Sequence, residues 1–280
     1  MAKGRPVAPV VKWVGGKRQL LHAITPLLPR QMELYCEPFL GGGAVLFSIR
    51  PSTAIVNDLN GDLIAVYETI RDDVDALIDD LKRHQNTPEY FYALRDMDRD
   101  KAAYRAMSKV ARASRLIYLN KTCFNGLFRV NSAGEFNAPF GRYKNPNIVN
   151  EPGLRAVNAY LSTSCVTFHS EDFADTLDRV GEGGFAYLDP PYDPVSDTAG
   201  FTGYSKDGFD RDQQLRLKRC CDRLTRRGVR FLLSNSATDF IRELYRDYEI
   251  FTVTAKRAVN ADAGGRGAVE EVLIRNYGAG

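Results

Sequence analysis

The chain has 280 residues, 44% of them hydrophobic, with a formal net charge of +3, enough for one large core or for a domain carrying a sizeable insertion. No apolar run reaches the roughly 18 residues of a membrane span, and the opening MAKGRPVAPVVKW lacks a signal-peptide core, so a cytoplasmic protein is expected. Five cysteines without a CxxC pair and three scattered histidines argue against a metal centre or a disulfide framework.

Charge is unevenly placed. Residues 51–100 hold twelve acidic against five basic side chains, whereas 101–150 hold nine basic and one acidic, and the first twenty add Lys3, Arg5, Lys12, Lys17 and Arg18. Two basic segments could line a groove for a polyanion, although 101–115 also reads as a solvated helix face.

In chain order, ELYCEPF (33–39) and TAIVND (53–58) read as short buried strands around a glycine turn and the helix GAVLFSIR. From about Asn60 to Leu119 the apolar spacing is helical in several pieces, and GLFRVNSAGEFNAPFG then alternates about Ser-Ala-Gly as a hairpin. From Cys165 strands and helices alternate again: CVTFHS, a helix from Asp172, GFAYL, a helix over 210–227, VRFLLS, a helix near 238–245, YEIFTVTA and VEEVLIRNY. Such alternation predicts an α/β fold with a doubly wound, mostly parallel sheet. A helical and β-hairpin module interrupts it, giving three expected segments, 1–59, 60–148 and 149–280.

The run GGFAYL ends in Asp189, Pro190, Pro191 and Tyr192. Paired prolines cannot continue a ladder, so the strand is expected to stop at Leu188. The Asp189 carboxylate and the Pro190 carbonyl are then two acceptors beside the flat ring of Tyr192, suited to a planar amino group. EPFLGGG brings glycines to the end of the first strand but fits no nicotinamide fingerprint, and VGGKR lacks the first glycine and the hydroxyl residue of a P-loop. Asp58, at the end of the second strand, is placed either to accept from ribose hydroxyls or to cap the next helix. The loop KRAVNADAGGRG (256–267) reads as a phosphate contact or an ordinary hairpin loop, and the helix RDQQLRLKRCCDRLTRRG as structural with solvated charges.

KWVGGK (12–17), EPFLGGG (37–43), NDLN (57–60), FNGLFRVNSAGEFNAPFGRYKNP (124–146) and LDPPY (188–192), in this order, resemble the Dam family of DNA adenine-N6 methyltransferases. The resemblance runs from near Lys12 to near Tyr277. It implies a Rossmann-like methyltransferase sheet, with S-adenosylmethionine held by Trp13, Lys17, Phe39, Gly41, Asp58, Asp172 and Phe173. It also implies that 60–148 is a DNA-recognition domain acting on double-stranded DNA, with no obligatory protein partner. Asn125, Leu127, Arg129, Pro139 and Tyr143 match positions the family uses against DNA. Lys12, Lys121 and Lys144 are expected at phosphates or near them, and Phe124 as a stacking residue. Adenine would be flipped out onto Tyr192, with GATC the expected target, although relatives sharing only GAT carry similar hairpins. Two other readings stay open: a non-catalytic DNA-binding protein of the same fold, disfavoured by intact Asp189 to Tyr192, and an RNA or protein amino-methyltransferase, disfavoured by the hairpin block.

Overall fold

Strands form where the chain runs apolar on both faces, as a parallel sheet requires, and helices where apolar residues recur at helical spacing. The computed structural model describes residues 7–195, 209–256 and 268–278; Lys3, Arg5 and the loop residues 257–267 lie outside these. Its elements are α1 (Leu21–Ile24), β1 (Tyr35–Glu37), α2 (Ala44–Ile49), β2 (Thr53–Asn57), α3 (Gly61–Asp72), α4 (Val74–Leu81), α5 (Pro88–Asp96), α6 (Lys101–Ala106), α7 (Lys109–Thr122), α8 (Glu151–Thr163), β3 (Cys165–His169), α9 (Phe173–Asp178), β4 (Phe185–Leu188), α10 (Arg211–Arg226), β5 (Arg230–Ser236), α11 (Asp239–Leu244), β6 (Glu249–Lys256) and β7 (Ala268–Arg275).

The strands make a seven-stranded sheet in the order β3-β2-β1-β4-β5-β7-β6. β1 pairs parallel with β2 and with β4, and β4 pairs parallel with β5; β7 runs antiparallel to β5 and β6. The expected α/β class is therefore observed, and β4 stops at Leu188 as the prolines dictate. The order reverses between β1 and β4, which places a switch point at their carboxyl ends.

Two compact units divide the chain: Met1–Gly16, Gly41–Ser52 and Asp58–Ser170 make the first, and Lys17–Leu40, Thr53–Asn57 and Glu171–Gly280 the second. In the second, Cys36, Ala186, Leu188, Phe231 and Leu233 alternate onto a core shared with α9 and α10. The intervening Tyr35, Phe185, Tyr187 and Leu232 are buried too, so these strands read as continuous apolar runs.

In the first unit α7 packs against α3, α4 and α5. Side-chain caps start the helices here: Asn60 for α3, Thr87 for α5, Asp100 for α6 and Ser108 for α7. α8 was not among the expected elements; its proline sits in the first turn, where the missing N–H costs nothing. The expected hairpin is present as two antiparallel bridges, Val130 with Phe136 and Cys123 with Phe140. Pro139, inside the second run, has no N–H for a longer ladder. At the tip the Asn131 side chain accepts from the Ala133 and Glu135 amides, each at 3.0 Å.

One buried carboxylate ties the hairpin to the helices. Asp98 accepts from the Phe136 amide at 2.8 Å and pairs with Arg115 at 2.9 Å, both side chains being buried. Arg115 also donates to the Leu94 and Arg95 carbonyls. The basic 101–115 stretch is thus partly neutralised from within, with Arg112 near Asp62 and Lys109 near Glu68, while Lys101 and Arg105 stay exposed. Removing one partner of a buried pair leaves the other charge uncompensated. Asp98→Ala is expected to cost about 3–5 kcal/mol, read as a lowered urea midpoint of the first unit; Asp98→Asn, which can still accept from Phe136, should cost less.

Candidate active site

A single buried asparagine gathers the segments from which several candidate residues start. Asn57, the last residue of β2, donates to the carbonyls of Pro38 (3.0 Å) and Glu171 (3.1 Å) and accepts from the Glu171 amide (2.9 Å). Its own carbonyl takes the Leu40 amide at 2.8 Å. Phe39, Asp58 and Asp172 each adjoin a residue held in this cluster. Phe39 and Phe173 lie 5.4 Å apart, and Phe209 meets both rings. Asp172 caps α9 through the Ala174 amide, and both its oxygens meet Arg216, at 2.6 and 2.7 Å. The Arg216 guanidinium also lies 4.8 Å from the centre of the Phe173 ring, and it holds the Asp172 carboxyl below the usual range. The α10 helix, expected to carry only solvated charges, therefore contributes one side chain to this cluster.

In the first unit, Asp58 does not cap α3; Asn60 does. Asp58 instead takes the Gly41 amide on Oδ2 and the Asn60 amide on Oδ1, each at 2.9 Å. Burial pushes its carboxyl above the ordinary value, and the two amides pull it back. Gly41 adopts φ +49°, and a Cβ there would meet Trp13 Cδ1 at 3.0 Å. The Trp13 ring in turn stacks on Phe128 at 4.8 Å. A left-handed glycine turn in which a side chain would be strained and crowded, an indole and a braced carboxylate together form a polar and aromatic cradle.

In the second unit, Asp189 follows the fully buried β4. Lys17 Nζ lies 2.7 Å from its Oδ1, and Ser234 Oγ lies 2.9 Å from the same oxygen. Among the described residues none donates to Oδ2 or to the Pro190 carbonyl, whereas the Pro191 carbonyl is taken by Gln214 at 2.8 Å. Burial raises the Asp189 carboxyl; Lys17 and then Ser234 oppose that. The Lys17 ammonium also lies 4.6 Å from the centre of the Tyr192 ring, so this lysine stands with Asp189 and Tyr192 here. Tyr192 donates to Glu271 at 2.7 Å, and burial, with the nearby Asp189 and Glu271 charges, keeps its phenol protonated. Beyond it, the amide of buried Asp193 donates to Asn235 Oδ1, its carboxylate accepts from Thr238 and its carbonyl from Ser236, which anchors the loop.

Several of the residues expected at DNA contact one another in the first unit. Asn120, buried in α7, exchanges hydrogen bonds with the backbone of Lys12 and donates to the Gly126 carbonyl. Lys12 Nζ donates to the Asn125 carbonyl, the Asn125 amide to Tyr143 Oη at 3.0 Å, and the Phe124 amide to the Pro139 carbonyl at 2.8 Å. Asn125 has φ +59°, a conformation asparagine tolerates better than most residues. This left-handed turn leaves the Phe124 ring 55% exposed. Arg129 is exposed on the hairpin, its Nε on Asn137 Oδ1 at 2.7 Å. Leu127 is half-buried, and Lys144 and Pro139 are exposed; Lys121 is half-buried at the end of α7.

Sequence reading passed over Asn57, Ser234, Glu271, Arg216 and Asn120. The polar triplet Ser234-Asn235-Ser236 ending an apolar strand was the available signal for the second of these. Among the described residues no cluster could hold a metal ion, and no described helix is long and apolar enough to cross a membrane.

The family described as D12 class N6 adenine-specific DNA methyltransferase matches residues 13–259. The type II methyltransferase M1.LlaDCHI of Lactococcus lactis subsp. cremoris is 42% identical over 272 residues, 96% of this chain and 95% of that protein. The type II methyltransferase M.MjaIII of Methanocaldococcus jannaschii is 39% identical over 97% of this chain and 99% of its own. The DNA adenine methylase of Escherichia coli K12 is 34% identical over 94% and 93%.

The cradle at Gly41 is testable without any ligand, because Trp13 is the chain's single tryptophan. Gly41→Ala places a β-carbon in left-handed backbone, at a cost of about 1–2 kcal/mol, and drives it against the indole. The expected outcome is a shifted fluorescence maximum with a loss of that size in urea unfolding; an unchanged spectrum would separate Trp13 from the turn.

Proposed function

The chain belongs to the D12 class N6 adenine-specific DNA methyltransferase family, and from that premise we propose that it moves the methyl group of S-adenosylmethionine to adenine N6 in duplex DNA at GATC, using Asp189 and the Pro190 carbonyl as the amino-group acceptors. The observation that carries the reading is the asymmetry at Asp189: both donors sit on Oδ1, and no described residue donates to Oδ2 or to the carbonyl of the next residue, Pro190.

Adenine N6 is a weak nucleophile, because its lone pair is delocalised into the ring. Asp189 Oδ2 and the Pro190 carbonyl, each taking one N6 hydrogen, favour the pyramidal nitrogen whose lone pair points at the methyl carbon. This is preorganised electrostatics combined with alignment. The base reaches these acceptors only out of the stack; Tyr192, held by Glu271, supplies the surface on which it rests. Lys17 keeps Asp189 ionised against the desolvation that opposes it.

The residues present fit the donor: Gly41 is a position a side chain would fill, and Asp58 still has lone pairs for hydroxyl donors beyond the two amides it accepts. Trp13, Gly41 and Asp58 of the first unit are proposed to bind it, and Phe39, Asp172, Phe173 and Lys17 are the second unit's candidates for the same role. When bound, the donor supplies a methyl group on a sulfonium, which leaves as a neutral thioether with the bonding electron pair. The 60–148 segment is proposed to recognise DNA. In that reading Lys12, Lys121 and Lys144 contact phosphates, Phe124 stacks, and Asn125, Leu127, Arg129, Pro139 and Tyr143 meet the bases and backbone around them.

Asp189→Ala should abolish methylation of DNA while leaving donor affinity by calorimetry nearly intact, and Asp58→Ala should do the reverse, weakening donor binding most. Turnover near wild type in Asp189→Ala would overturn the mechanism.

Target choice has its own test. An arginine bidentate to guanine discriminates by about 1–3 kcal/mol, so Arg129→Ala should relax preference at one base pair when methylated sites are sequenced. Lys144→Ala should weaken all sites alike and flatten the salt dependence by about one unit. Methylation at other GAT-containing sites but not at GATC would refute the assigned target.

A further inference from the structure

We propose that Ser234, backed by Tyr187, is the positioning residue that decides which oxygen of Asp189 meets the substrate amine. The inference rests on the reading of Asp189 as an amino-group acceptor and adds what orients it. Ser234 lies on β5, the strand beside β4, and is fully buried. Its Oγ lies 2.9 Å from Asp189 Oδ1, 3.2 Å from Tyr187 Oη and 3.4 Å from the Leu188 carbonyl, and the Tyr192 phenol is near enough to interact with it.

A hydroxyl carries one proton and can rotate it, so the question is which neighbour receives it. Tyr187 is fully buried, and burial with the Asp189 charge nearby keeps its phenol protonated. It can satisfy that proton by donating to Ser234 Oγ. The serine proton then goes to the nearer and charged acceptor, Asp189 Oδ1, rather than to the Leu188 carbonyl.

The two donors on Oδ1 differ in what they fix. The Lys17 ammonium is a compact point charge with three rotatable donors, so its attraction to the carboxylate selects neither oxygen by direction. Ser234 is held in a strand, paired with β4 on one side and β7 on the other. Lys17 therefore supplies charge, while Ser234 supplies direction. With Oδ1 so held, Oδ2 is the oxygen presented next to the Pro190 carbonyl.

The groups that face Asp189 are Lys17, Ser234 and the phenols of Tyr187 and Tyr192, with Glu271 behind Tyr192. Ser234 is among those that lower the carboxyl's pKa. Its removal should raise that pKa and move the acidic limb of the kcat–pH profile upward, because the carboxylate is the competent form.

Two readouts on Ser234→Ala test the inference. The first follows the Asp189 carboxyl by carbon-13 NMR titration, assigned with Asp189→Asn, and needs no activity. The second is single-turnover methylation of duplex DNA across pH. The expected result is a raised Asp189 pKa and a rate lowered about ten- to a hundredfold, the scale of a hydrogen bond to a charged group. Donor affinity and KM for DNA should change little, and Tyr187→Phe should give a smaller effect in the same direction. An unchanged Asp189 pKa in folded Ser234→Ala overturns the positioning, and so does a raised pKa with an unchanged rate. A wild-type protein that methylates no DNA adenine while the pKa still rises would instead refute the parent reading and leave the Ser234–Asp189 bond standing.

Discussion

The carboxyl ends of β1, β2, β4 and β5 crowd polar groups against a buried sheet, and a buried polar group without a partner costs about 1–3 kcal/mol. Pairing is therefore the constraint on which this part of the protein depends. Asn57 closes the ends of β1 and β2 on the segment before α9. Asn235 and Gln214 bond to each other, and Gln214 takes the Pro191 carbonyl. Asp193 is held by Thr238 and the Asn235 side chain. Against this background Asp189 Oδ2 and the Pro190 carbonyl stand out. They belong to neighbouring residues and accept from no described side chain or amide, which under the proposed function suits a ligand that brings two hydrogens of its own.

The same pairing sets the electrostatics. Asp189 is desolvated, which disfavours its charge. A lysine beside it offsets that, and the lysine also lies over the Tyr192 ring, so one ammonium serves both the carboxylate and the aromatic face. Tyr192 is oriented at its far end by Glu271. Asp189, Lys17 and Tyr192 are thus tied to one another and to Glu271, and under the proposed function such pairing would be preorganisation of the kind that lowers a barrier.

The first unit solves a different problem, the presentation of exposed groups on a firm base. Phe124, Arg129, Tyr143 and Lys144 are exposed, yet the backbone beneath them is tied to buried Asn120 and Asp98. A left-handed asparagine turns the chain so that Phe124 points outward. Long basic side chains lose rotamer entropy when they are fixed, and the contact of Arg129 with Asn137 already restricts one of them.

What the sequence determined by itself is what depends on local chemistry. Paired prolines end β4, alternation of apolar runs makes a mostly parallel sheet, a Ser-Ala-Gly tip makes a hairpin, and the ordered blocks identify the family. Local rules also left cases open: residues 149–164 received no element, yet α8 forms there, and Asp58 read either as a ribose acceptor or as a cap, of which Asn60 does the capping. Partnership across the chain was decided only by the tertiary structure. Nothing near Lys17 announces that it meets Asp189, nothing in α10 announces that Arg216 meets Asp172, and Ser234 looks like any polar residue at a strand end. Those contacts join positions far apart in sequence, and their strength comes from burial, which exists only once the strands and helices have packed and excluded water.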